Sequence, residues 1–122
     1  MQLIWPQPPS LNIYYRTYNG RILLSEKARQ YHSLVEELCL VRDGWEVFHK
    51  GDLIHCMITT QPKHKRRFDL DNQLKCLLDS LQRVGAIPDD KQITYLRIED
   101  GEMPEDCPFE KGQVTIELEH AE

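Results

Sequence analysis

Residues 66–81 read RRFDLDNQLKCLLDSL, and within these sixteen positions the chain turns from a basic run into an acidic pair and then into an amphipathic helix. Leu70, Leu74, Leu77, Leu78 and Leu81 recur at helical spacing, so the segment from Asn72 to Val84 is expected to be a helix with one apolar face. Gly85 is placed to stop it in a left-handed turn. Just upstream, DLIHCMITT (52–60) reads as a strand ending at Pro62. Downstream, QITYLRI (92–98) and QVTIELE (113–119) alternate with the period of two that strands require, and they flank the acidic loop EDGEMPEDCPFEKG (99–112).

Working back to the N-terminus, LIW (3–5) reads as a short strand that exits into PQPPS (6–10), where prolines remove ladder donors and disfavour helix. Asn19-Gly20 sits between two short strand-like runs and signals a tight hairpin. Ser25 is expected to cap a helix from about Glu26 to Val41 whose core stripe is Ala28, Tyr31, Leu34, Val35 and Leu38. WEVF (45–48) is a further strand candidate. Strands with two principal helices predict an α+β fold: a mixed β-sheet covered by two main helices on one face, a two-layer sandwich formed by residues 1–122 as a single domain.

Composition narrows the function classes. No apolar run approaches the roughly 20 residues that span a bilayer, and the N-terminal stretch lacks the pattern of a secretory signal, so a cytoplasmic protein is expected. Cys39, Cys56, Cys76 and Cys107 form no C-x-x-C pair and are expected to be reduced thiols. His49, His55 and Cys56 lack a fourth ligand at a recognisable zinc spacing, so burial is the better account of that cysteine. The net charge of −5 is unevenly spread, since residues from Glu99 onward hold nine acids against Lys111 alone, leaving a net positive remainder. Its densest patch is KHKRR (63–67), and a local field of that kind steers a polyanion whatever the sign of the whole chain.

Asp69 and Asp71 are one residue apart. On a helix they would diverge by roughly 200°, whereas on extended chain they would point the same way. Sharing one ion therefore requires the chain to stay extended through 69–71, with Asp71 as the N-cap of the helix that follows. The competing account is that Asp71 merely caps and Asp69 is a solvated turn residue. Paired carboxylates with open positions suit a hard cation such as Mg²⁺, commonly shared with a substrate phosphate. Lys75 lies one turn beyond Asp71 on the same face, where it could equally be an exposed ion pair of little weight. The Pro88-Asp89-Asp90 stretch could return a third carboxylate to the sheet edge, or be an ordinary turn. Phe68, between the basic and acidic halves, is expected to anchor the segment in the core.

The basic run, D-x-D-N at 69–72, a lysine four residues after the second aspartate, and Asp-Asp after the helix together resemble the RusA family of Holliday junction resolvases, common in prophages. The opening WPQPPSLNIYYRTYNGRILLSEKARQY (5–31) is similar to that family's as well. The resemblance implies a RusA-like fold. It implies that Asp69, Asp71 and Asp90 are catalytic, metal-binding carboxylates, with Asp90 favoured over Asp89. It implies that Lys75 is the essential lysine, and that Lys63, Lys65, Arg66, Arg67, Asn72, Tyr15 and Arg16 contact DNA. It further implies a homodimer that resolves four-way junction DNA with Mg²⁺, for which Mn²⁺ may substitute, in recombination and repair. The acidic stretch departs from the pattern and is expected to lie away from the junction or to gate it electrostatically. The rival readings are a nuclease for flaps or forks, and a junction-binding module without catalysis.

Overall fold

The computed structural model describes residues 1–41, 45, 48–64 and 70–121. Its order is β1 (Gln2–Pro6), β2 (Tyr15–Tyr18), β3 (Arg21–Leu24), α1 (Glu26–Leu40), β4 (Ile54–Pro62), α2 (Leu74–Arg83), β5 (Ile93–Asp100) and β6 (Gly112–His120), with short 3₁₀ turns at Leu11–Ile13, Leu70–Gln73 and Asp90–Gln92. β1, β6, β4 and β5 lie side by side in that order. β6 is antiparallel to both β1 and β4, while β4 and β5 run parallel. The sheet is therefore mixed. A parallel neighbour cannot be reached by a tight turn, and α2 supplies the crossover between β4 and β5.

Alternation decides which face is covered. Along β4, Ile54, Cys56, Ile58 and Thr60 are buried while His55, Met57, Thr59 and Gln61 are half-buried. Leu3 and Trp5 of β1 and Val114, Ile116 and Leu118 of β6 join the buried set. From the helices come Ala28, Tyr31 and Val35 of α1 and Cys76, Leu77 and Leu81 of α2, which complete one core. Each fully buried aliphatic or aromatic side chain of this kind contributes about 1.5–3 kcal/mol.

The local signals that delimit the elements act as expected. The Ser25 hydroxyl accepts the Ala28 N–H at 3.1 Å and starts α1. Asn19 and Gly20 take positive φ values of 50° and 73°, the turn that matches hairpin twist, and β2 pairs with β3 as a separate two-stranded sheet. At the end of α2, Gly85 has φ 78° and the Ala86 N–H reaches back to the Leu81 carbonyl at 2.9 Å, closing the helix. None of the four cysteines forms a disulfide; Cys56 and Cys76 are buried and Cys39 and Cys107 half-buried. Burial pushes the Cys56 and Cys76 thiols up to about 12, which makes them inert.

Three expectations are corrected or fall outside the described residues. Leu34 is exposed, because α1 turns its His32 side toward α2 and leaves position 34 on the rim. α2 is not capped by Asp71: the chain is already coiled from Leu70 in a 3₁₀ turn, and Gln73 occupies the cap position without a side-chain cap bond. The buried Gln73 side chain donates instead to Gln7 Oε1 at 2.7 Å, which ties the turn before the helix to the N-terminal strand exit. In the WEVF stretch, Trp45 and Phe48 belong to no strand, and the two residues between them lie outside the described set.

Candidate functional site

The turn bearing Asp71 and Asn72 packs beside β5 and the Leu11–Ile13 turn, at the mouth of α2. Asp71 is exposed and makes no hydrogen bond or ion pair among the described residues. Asn72 is half-buried next to it. Lys63 follows β4 and is exposed, while Lys65, Arg66, Arg67, Phe68 and Asp69 lie outside the described residues. The extended geometry required at 69–71 is replaced at 70–71 by a 3₁₀ turn.

Lys75 opens the first turn of α2 and pairs with Asp79, one turn onward, at 3.2 Å. Its partner is therefore not Asp71. The ammonium is held above the ordinary lysine range, first by the Asp79 hydrogen bond and then, against its partial desolvation, by the Asp79 charge. Lys75 lies on α2, Asp90 in the turn that precedes β5, and Tyr15 on the hairpin.

Asp89 and Asp90 divide their tasks. The Asp89 carboxylate accepts the Lys91 N–H at 2.9 Å and caps the Asp90–Gln92 turn. That backbone bond, together with the charge of Lys91, holds Asp89 below the usual carboxylate range. The Asp90 N–H donates to Gln82 Oε1 at 2.6 Å, which ties the turn to the end of α2 and keeps Asp90 half-buried beside it. Among the described residues, no three His, Cys, Asp or Glu side chains form a metal-holding group; Asp69 is outside that set. The donors that are described, Asp71 and Asp90, are carboxylates, which fit a hard cation and not zinc.

Tyr15 and Arg16 stand exposed on β2, with the Arg16 guanidinium 5.9 Å from the Tyr18 ring centroid. The acidic loop does not lie wholly apart from the basic run. Its end meets the start of that run: the Lys63 N–H donates to the Lys111 carbonyl at 3.0 Å, and Glu110 and Lys111 line a cleft of about 500 Å³ with Pro62, Lys63 and His64.

Residues that sequence reading passed over lie beneath the lysine. Tyr14, wholly buried, donates to Asp79 Oδ2 at 2.5 Å and lies 2.9 Å from His32 Nε2, whose Nδ1 is 2.8 Å from Ser80 Oγ. The available signal was a histidine adjoining the apolar stripe of α1 and a Ser-Asp pair on the inner edge of α2.

A mixed sheet covered by two helices, with Lys75 on the crossover helix and Asp71 and Asp90 in the turns that precede and follow it, defines the class as an α+β domain. Comparison with known proteins sharpens this. The family model Endodeoxyribonuclease RusA matches residues 6–119. The chain is 37% identical over 97 residues to the crossover junction endodeoxyribonuclease of Enterobacteria phage HK97, covering 80% of this chain and 79% of that one. It is 30% identical over 93 residues to the crossover junction endodeoxyribonucleases of Escherichia coli K12 and Enterobacteria phage 82, covering 76% of each chain. The chain belongs to the RusA family.

Proposed function

We propose that this protein is a structure-selective endodeoxyribonuclease that resolves Holliday junctions by paired, symmetric hydrolysis of phosphodiesters in recombination and repair. The observation that carries the reading is the exposed Lys75, held on Asp79 at 3.2 Å in the helix that follows Asp71, in a chain of this family. Asp69, Asp71 and Asp90 would hold Mg²⁺, or Mn²⁺ in its place. When bound, such an ion supplies an activated water and neutralises charge on the phosphate.

The chain's own residues do the rest. Lys75, exposed enough to meet substrate and fixed on Asp79, places a cation where negative charge develops in the transition state. Lys63, Lys65, Arg66 and Arg67 bind backbone phosphates, and Asn72, Tyr15 and Arg16 extend that contact across the mouth of α2. The approximate two-fold symmetry of a four-way junction calls for two equivalent sites, which a symmetric homodimer provides. A cytoplasmic location goes with this proposal. No helix among the described residues is long and apolar enough to cross a membrane.

The test is incubation of a synthetic mobile four-way junction and a linear duplex with wild-type protein and Asp71→Asn in Mg²⁺. The expected result is paired symmetric nicks in the junction by wild type, none by the variant, and retained junction binding by both. Equal cleavage by the two proteins, or equal cleavage of duplex and junction, would overturn it.

A further inference from the structure

An exposed pair between two flexible side chains one helical turn apart is ordinarily weak and loosely held. Lys75 and Asp79 have that spacing, yet Asp79 is anchored from below. Its Oδ1 accepts from Lys75 Nζ at 3.2 Å, while its Oδ2 accepts from the buried Tyr14 hydroxyl at 2.5 Å. The carboxylate can only accept, so the Tyr14 hydroxyl spends its one proton there and must act as acceptor toward His32. His32 Nε2 therefore carries the hydrogen at 2.9 Å, which leaves Nδ1 to accept from the Ser80 hydroxyl at 2.8 Å. Every donor from Ser80 through His32 and Tyr14 points toward Asp79, and the Lys75 ammonium donates to the same carboxylate from the other side.

Its members come from three segments: Tyr14 from the N-terminal connection, His32 from α1, and Asp79 and Ser80 from α2. Tyr14, His32 and Ser80 are at most 3% exposed. The Tyr14 backbone is fixed too, its carbonyl accepting the Ser25 N–H at 2.8 Å. Burial, ahead of the nearby Arg83 charge, lowers the affinity of His32 for a second proton, which keeps the ring in the neutral form that this series needs.

The geometry points to a relay of positioning residues, Ser80, His32, Tyr14 and Asp79, that fixes the Lys75 ammonium for cleavage. Packing alone would not require this arrangement to end on the carboxylate oxygen pair that carries the site lysine. The inference rests on the reading of Lys75 given under Proposed function. None of the four touches substrate, so each acts through Lys75.

Tyr14→Phe keeps the ring and removes only the hydroxyl. With a saturating four-way junction and Mg²⁺, below the unfolding midpoint of each variant, it is expected to slow cleavage by about 10-fold or more, as loss of an orienting partner does. Junction affinity is expected to be unchanged. Asp79→Asn should lose at least as much, and His32→Gln, whose amide can stand in for the Nε2–H, should retain more rate than His32→Leu. In a Lys75→Ala background, Tyr14→Phe should have no further effect. An equal loss with and without Lys75, or no loss in the parent, overturns the relay. Independently, the ¹⁵N signal of the Lys75 ammonium should broaden in Tyr14→Phe; an unchanged signal refutes the relay. If Lys75→Ala cleaves as wild type does, the role assigned to Lys75 fails, and the ammonium signal alone decides whether the relay holds it.

Discussion

Gly112 begins β6 opposite Pro62, where β4 hands over to the basic run, and it offers a sharp test of how the sheet positions that run. Its φ is +100°, and a Cβ added there would overlap the Gln61 carbonyl oxygen and come within 2.6 Å of the Lys63 nitrogen and 2.7 Å of Pro62 Cα. All three neighbours are backbone, so no side chain can rotate away. The conformational strain for Gly112→Ala is about 1–3 kcal/mol. Relief of the overlap must stretch the Gln7 N–H to Gly112 carbonyl bond at 3.2 Å and the Lys63 N–H to Lys111 carbonyl bond at 3.0 Å. Each is worth about 1 kcal/mol, which brings the expected loss to about 3–5 kcal/mol. Gly85→Ala is the control: its φ of +78° carries the same kind of strain, but nothing lies within 4 Å of the new Cβ. The control should therefore lose only about 1–2 kcal/mol. Urea unfolding of both variants measures the difference, and junction binding by Gly112→Ala should weaken as Lys63 is displaced. If the two variants lose stability within about 1 kcal/mol of each other, close backbone approach at Gly112 is not what constrains this edge.

Three further outcomes are expected. His32 is held below its ordinary 6.5 by burial and by Arg83, against the opposing charges of Asp79 and Glu36, so the unfolded chain binds more protons than the fold; its contribution is complete above that value and is lost as pH falls through the lower folded one. Urea titrations of wild type and His32→Gln across the acid range should show that fall in wild type and a shallower one in the variant; parallel curves would remove His32 as its source. Replacing Lys63 and Lys65 by alanine should reduce the slope of log affinity against log salt by about 0.9 for each phosphate that is no longer neutralised, measured by junction binding over a salt series. Chelation with EDTA should stop cleavage while leaving binding intact, and Mg²⁺ or Mn²⁺ should restore it; cleavage persisting in EDTA would exclude a metal-dependent reaction.

What the sequence made legible was local. The leucine spacing of α2, the Ser25 cap, the Asn19-Gly20 hairpin and the Gly85 stop are each decided within a few residues, by helical period or by a backbone conformation that few side chains tolerate. The alternating run of β6 likewise announced a covered face, whereas β5, at the edge of the sheet, alternates in sequence but buries no residue. The start of α2 was not legible, because capping propensity points to Asp71 whereas the chain is already coiled from Leu70 and Gln73 is tied to Gln7, 66 positions away. Leu34 failed for a similar reason, since helical spacing gives a stripe but not which edge of it meets the neighbouring helix.

The chemistry divides in the same way. The sequence by itself determined which groups are available: the carboxylates at 69, 71 and 90, the lysine after them, and the basic run ahead, all recognisable because residue type and spacing survive without coordinates. Only the tertiary structure decided what holds the lysine. Tyr14, His32 and Asp79 are remote in sequence and unremarkable in type, and hydrogen-bond direction becomes defined only when burial removes water as the alternative partner for each of them.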